Sequence, residues 1–278
     1  MNRVGIISSG ENPLVKETKK LKLKKYREER GEFLIEGVRL VEEGLKSGRL
    51  KGIFYEETLS CTVRGRQLLH IIEQSARDKK IAFSHRVTLP VIKALAETQT
   101  PQGIVAVAVK DPVSLASLNR VKSEELLLVI DGLQDPGNLG ALVRTACAAG
   151  AGAVICLPGT ADPYCGKAVR STMGGIFRIP VINGVEWDYL REWCRENDYC
   201  LAAGDLNAEV EYFSVAYPEK TALIIGNEGQ GLLNVTPEEV DFRVKIPLKN
   251  GVESLNAAVA GGILLYEIMR QQTEGAEF

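Results

Sequence analysis

Apolar residues fall along this chain in two rhythms. Short uninterrupted runs at 126–130, 153–157 and 221–225 are rich in branched side chains and end in polar turns. That is the pattern of strands covered on both faces of a parallel sheet. Between them, at 138–149, 164–173, 187–196 and 254–270, apolar positions recur three and four apart, which predicts helices with one covered face. Further strands are expected at 178–181, 199–203 and 242–246. Strand–helix alternation of this kind predicts a parallel sheet with helices on both faces.

The first 110 residues carry shorter elements. The spacing predicts a basic helix over 13–27, a strand at 33–36, a helix at 38–45 and a strand at 52–55. Helices at 67–73 and 87–95 and a β-branched strand at 103–109 follow. Lys110-Asp-Pro112 stops that strand, and the polar stretch 114–124 reads as a connection. The expected class is α/β: a small α/β domain over 1–110, a linker over 111–124, and a parallel-sheet domain over 125–278.

Composition changes this picture little. The hydrophobic fraction is 45%, the charged fraction 25% and the formal charge −2, so the chain is ordinary globular material with no bulk basicity. A local basic face can still hide inside a neutral total, and Lys16–Arg27 concentrates one: Lys19, Lys20, Lys24 and Lys25 stand there with Tyr26. Such a stretch serves equally as a solvated helix face or as a phosphate-binding stripe. No long apolar run and no signal-peptide core occur, which points to a cytoplasmic protein without membrane attachment. Six cysteines lack any Cys-x-x-Cys pair, and the two histidines, His70 and His85, are remote from most of them; buried reduced thiols and no metal are expected.

Three strand-ending turns stand out. Asp131-Gly-Leu-Gln-Asp-Pro136-Gly-Asn138 leads towards Arg144, Gly226-Asn-Glu228-Gly-Gln-Gly231 follows a strand, and Ile246-Pro-Leu precedes Ser254-Leu-Asn256 and a run of small residues. In open parallel sheets ligands bind beyond the carboxyl ends of strands, where all three turns fall. Neither a dinucleotide fingerprint nor a P-loop is present. Taken singly, the turns are also accounted for as a tight glycine turn and as helix caps at Asn138, Ser254 and Asn256.

Together, in this order and spacing, the three segments resemble the motifs of the SpoU (TrmH-type) RNA 2′-O-ribose methyltransferases of the SPOUT class. The intervening Asp162-Pro-Tyr164…Lys167…Arg170-Ser-Thr-Met-Gly174 resembles the family as well. Asn256-Ala257 departs from the commoner Asn-Val. Residues 1–110, with Phe33-Leu-Ile-Glu-Gly37, are similar to an L30e-like substrate-binding domain that many members carry.

The resemblance implies a deep trefoil knot in the second domain, homodimers, and S-adenosylmethionine held around Gly226, Ile246 and Leu255. It places Arg144 at the centre of catalysis, acting on a ribose hydroxyl with help from an RNA phosphate, and sets Asn138, Glu228, Ser254 and Asn256 around it. Glu228 is then expected to orient Arg144 by a charge-assisted hydrogen bond. RNA contacts are expected at Lys19, Lys20, Lys24 and Lys25, with Lys167 and Arg170. Ribosomal RNA of the 23S type is the preferred substrate and transfer RNA the second. A non-catalytic RNA-binding relative and an ordinary nucleotide-cofactor enzyme are the competing readings; intact motif residues speak against the first, and the missing glycine fingerprint against the second.

Overall fold

The computed structural model describes residues 5–118 and 126–275. The chain forms two compact units, Met1–Lys110 with Tyr164–Phe177, and Asp111–Pro163 with Arg178–Phe278. The segment 164–177, read from the sequence as part of the second domain, thus groups with the first unit.

In the first unit, α1 (Pro13–Lys19), a 3-10 turn (Lys20–Lys22) and α2 (Lys24–Arg30) precede β1 (Glu32–Glu36) and α3 (Val38–Ser47). Next come β2 (Leu50–Tyr55), α4 (Val63–Arg77), β3 (Phe83–Arg86), α5 (Leu89–Leu95) and β4 (Ile104–Val109). The sheet runs β1-β4-β2-β3, antiparallel except for β2 with β3. Its core gathers Val15, Leu21, Phe54, Val91, Ile92 and Val105. The single basic helix expected over 13–27 is broken at Leu23, whose ψ of 132° is extended. The buried Arg27 stabilises the break by donating to the Leu21 and Lys22 carbonyls. β3 was not expected: Phe-Ser-His-Arg has no apolar run, and its edge position asks for none.

The second unit contains α6 (Leu115–Leu118), β5 (Leu126–Ile130), α7 (Pro136–Ala148) and β6 (Ala153–Cys156). Between β6 and β7 (Val181–Asn183) lies α8 (Gly166–Ser171) of the first unit. Then come α9 (Trp187–Glu196), β8 (Cys200–Gly204), β9 (Val210–Glu211), β10 (Thr221–Ile225), β11 (Phe242–Lys245) and α10 (Ala257–Gly275). Seven parallel strands stand in the order β7-β6-β5-β10-β8-β11-β9. Every residue of β5, β6 and β10 is buried, as their uninterrupted apolar runs require.

The expected linker over 111–124 falls partly outside the described residues, which leave out 119–125. Before that gap, α6 buries Leu115 and Leu118 in the second unit's core. β7 starts at Val181 and not at 178, because Pro180 has no N–H to give a ladder; its carbonyl does accept from Val154. α10 starts at Ala257, so Ser254 precedes the helix. α10 lies on α7 at very close range: a Cβ at Gly261 would come within 2.4 Å of Leu142 Cδ2. A glycine there lets the two helices approach as near as they do.

Candidate active site

The three turns meet at one end of the parallel sheet. Asp135 caps α7, its carboxylate accepting from Asn138 N at 2.9 Å, and Pro136 supplies the fixed first-turn backbone. Asn256 caps α10 in the same way, its Oδ1 accepting from Ala258 N at 2.9 Å and Val259 N at 3.3 Å. That use of Oδ1 leaves the Asn256 amide nitrogen free to donate, and it donates to Asn138 Oδ1 at 2.9 Å. Asn138 Nδ2 in turn donates to Glu228 Oε1 at 3.2 Å. A carboxylate only accepts, so both amides have one permitted orientation. A single polar chain therefore runs Asn256 to Asn138 to Glu228, one residue from each motif.

Glu228 also accepts from the backbone N–H of Gln134 at 3.3 Å and of Asp135 at 3.4 Å. Partial burial works to raise its pKa. Hydrogen bonds from its own loop backbone, Asn138, Gln134 and Asp135 outweigh that, and its carboxyl lies below the ordinary 4.5. The expected bond from Glu228 to Arg144 is not made. Arg144 is exposed on α7 and has no hydrogen-bond or ion-pair partner among the described residues. Six residues along a helix turn Arg144 roughly 120° away from the Asn138 side, which separates the two groups. Glu228 braces the loop entering α7, and the guanidinium is left with an uncompensated charge.

The loop Gly226–Gly231 is itself rigidly tied. Asn227 and Gly231 form a bridge in both directions, at 2.7 and 3.1 Å. Asn227 Oδ1 accepts from Gly229 and Gln230, while its Nδ2 donates to the Gly132 carbonyl. A Cβ at Gly226 would sit 2.5 Å from the Gly231 oxygen, so only glycine fits. Beside the loop, a cavity of about 410 Å³ opens at the carboxyl ends of β8, β10 and β11. Gly226, Ile246 and Leu255, the expected cofactor residues, all line it, as do Glu228 and the exposed Ser254. Asn138, Arg144 and Asn256 are not among its lining residues.

Two features escaped the sequence reading. Asp131, fully buried at the end of β5, accepts from the backbone N–H groups of Leu233, Asn234 and Val235 and from the Asn234 amide. It fastens the segment after the glycine loop beneath the site; an aspartate ending a wholly apolar strand was the signal. Asp205, Leu206 and Asn207, after β8, form another cavity wall, where Arg243 holds Asp205 at 2.9 Å. Gly204, which ends β8 and also lines the cavity, was the mark they carried in the sequence.

The expected RNA-binding residues all belong to the first unit. Lys19, Lys24 and Lys25 are exposed on the α1–α2 segment, and Lys20 is half-buried there. Lys167 is exposed on α8. Arg170 stands 3.3 Å from Glu97 and 3.8 Å from Glu36, weak ion pairs that a phosphate would have to replace. Among the described residues no group of His, Cys, Asp or Glu is arranged to hold a metal ion, and no helix is long and apolar enough to cross a membrane. All six cysteines are free; two are buried, three half-buried and Cys61 exposed, so fewer are buried than expected. Burial pushes the Cys156 and Cys194 thiols up to about 12.

Comparison with known proteins agrees with the geometry. Residues 125–266 match the SpoU rRNA Methylase family, and residues 12–106 match the MRM3-like substrate binding domain. The 23S rRNA (guanosine(2553)-2′-O)-methyltransferase RlmP of Bacillus subtilis is 39% identical over 94% of this chain and 98% of its own. The AdoMet-bound rRNA methyltransferase of Sinorhizobium meliloti superposes with a TM-score of 0.82 at 30% identity, covering 96% of this chain and 97% of that one. The SpoU methyltransferase AviRb of Streptomyces viridochromogenes, in complex with AdoMet, gives 0.82 at 27% identity over 94% and 98%.

Proposed function

Since the chain belongs to the SpoU rRNA methylase family, we propose that it transfers a methyl group from S-adenosylmethionine to a ribose 2′-hydroxyl of 23S-type ribosomal RNA. The observation that carries this reading is the Asn256–Asn138–Glu228 chain beside the cavity, with Arg144 unpaired on the same helix as Asn138. The cavity suits the cofactor: its volume lies in the range of small-molecule sites. Ile225, Ile246, Leu255 and Leu264 give it apolar walls, and the Gly226–Gly231 backbone lies open at its rim. When bound, S-adenosylmethionine supplies an electrophilic methyl on a sulfonium sulfur.

The chain's own residues must then manage the hydroxyl, which loses its proton as the O–CH₃ bond forms and the S–CH₃ bond breaks. Arginine stays protonated in proteins, so Arg144 does not serve as the base. Its guanidinium stabilises the developing alkoxide and clamps a neighbouring phosphate, which accepts the proton more readily than arginine does. Asn138 and Asn256, each locked in one orientation, hold the starts of α7 and α10 together, and Glu228 fixes the loop that enters α7. Ser254 offers an unpaired hydroxyl at the cavity wall. Replacement of Arg144 by alanine is expected to lower kcat by about 10²–10³ while calorimetry shows cofactor affinity unchanged. Full activity in that variant would remove Arg144 from the mechanism.

The finer parts of the reading have their own supports. A trefoil knot fits a sheet in which β10 lies between β5 and β8, with α10 packed on α7. A homodimer fits the apolar stripe of Val259 and Tyr266, 52% and 45% exposed on α10. Lys19, Lys20, Lys24 and Lys25 are the proposed RNA contacts, and a cytoplasmic location is proposed on the likeness to the bacterial RlmP.

A further inference from the structure

Between residues 13 and 31, eight lysines and arginines stand against three glutamates, in a chain with a formal charge of −2. Two of the cations are structural. Arg27 is 5% exposed and donates to the Leu21 and Lys22 carbonyls at 2.9 and 2.7 Å, and Lys22 donates to the Ala96 carbonyl at 2.7 Å. The bend that Arg27 fixes leaves Leu23 60% exposed. Tyr26 lies one turn on, its N–H bonded to the Leu23 carbonyl, and its ring is half-buried. Three cations surround that ring, with Lys20 Nζ and the Arg30 guanidinium each 5.6 Å and Lys25 Nζ 6.0 Å from its centroid. Glu17 holds two of them in place, 2.7 Å from Lys20 and 2.5 Å from Arg30.

Lysines alone would suit any polyanion. An aromatic ring and an exposed leucine set among them suit a partner with flat apolar faces strung on phosphates. We propose that Tyr26 is a base-stacking residue: an unpaired nucleotide of the RNA substrate stacks on its ring, with Leu23 beside it and Lys20, Lys25 and Arg30 on the flanking phosphates. The inference rests on the RNA-methylating reading and deepens it, because a duplex keeps its base faces covered and only a loop or single strand presents one. Tyr26 then supplies contact energy that does not depend on salt, whereas the lysines supply the part that does.

The test compares two labelled probes by fluorescence anisotropy against the whole protein at several salt concentrations. One is an oligouridylate of about 12 nucleotides, within the usual single-strand site sizes; the other is an abasic ribose-phosphate of equal length and charge. The wild type is expected to prefer the oligouridylate by about tenfold. Tyr26→Leu, which keeps an apolar side chain but no π-face, abolishes that preference without changing the salt slope, and Tyr26→Phe keeps it. Lys24→Ala with Lys25→Ala weakens both probes alike and lowers the salt slope by about 1.4. Equal affinity of the wild type for the two probes overturns the proposal without recourse to a variant. A preference that survives Tyr26→Leu overturns it too, and the RNA surface itself still stands if the lysine variants lose affinity. If the lysine variants also bind as the wild type does, the surface assignment falls as well.

Discussion

Glu228 shows how a residue picked from a motif acquires a different role once its partners are known. Its carboxylate takes two backbone N–H groups and the Asn138 amide, and its pKa is depressed below 4.5. A depressed carboxylate contributes stability above its unfolded pKa and loses it as pH falls through the folded value. Glu228→Gln should therefore melt lower than the wild type at neutral pH, by about 1–2 °C for so exposed a group. The gap should close below about pH 4.5, as differential scanning fluorimetry across pH would show. A gap that persists unchanged into acid would mean that the charge on Glu228 is irrelevant to the fold. At this scale the motif residues were legible in the sequence, but their bonds were not. Six positions along α7 turn Arg144 off the Asn138 side, and spacing alone does not say which of the two Glu228 meets.

At the scale of elements, the glycine loop after β10 is the most tightly specified piece. A methyl at Gly226 would collide with backbone, 2.5 Å from the Gly231 oxygen and 2.9 Å from Leu232 N, and backbone cannot rotate away as a side chain can. Gly226→Ala is expected to cost about 1–3 kcal/mol in chemical denaturation and to weaken cofactor binding more than tenfold by calorimetry. Gly229→Ala, whose Cβ would meet only Asn227 Oδ1 at 3.8 Å, should be tolerated. Equal behaviour of the two variants would contradict the loop's close packing. The buried strands β5 and β10 were readable because uninterrupted apolar runs have few other uses. β3 and β9 were not: one is a polar edge strand and the other two residues long, and edge pairing leaves almost no hydrophobic signature. The break at Leu23 was hidden for a related reason, since a buried arginine looks on paper like one more surface cation.

For the whole molecule, the end of the first unit's long segment at Lys110 was legible as a change of rhythm. The attachment of 164–177 to the first unit was not, because long-range packing leaves no local periodicity. The apolar stripe on α10 predicts that light scattering gives about twice the 30.4 kDa chain mass, and that Val259→Glu with Tyr266→Glu gives a monomer; a monomeric wild type would reject the homodimer. Ribose methylation is read out by supplying labelled S-adenosylmethionine with unmodified 23S ribosomal RNA, followed by alkaline hydrolysis. A 2′-O-methyl blocks cleavage at its own linkage, so the account predicts label in an alkali-resistant dinucleotide. Label recovered in ordinary mononucleotides would place the methyl on a base and contradict it.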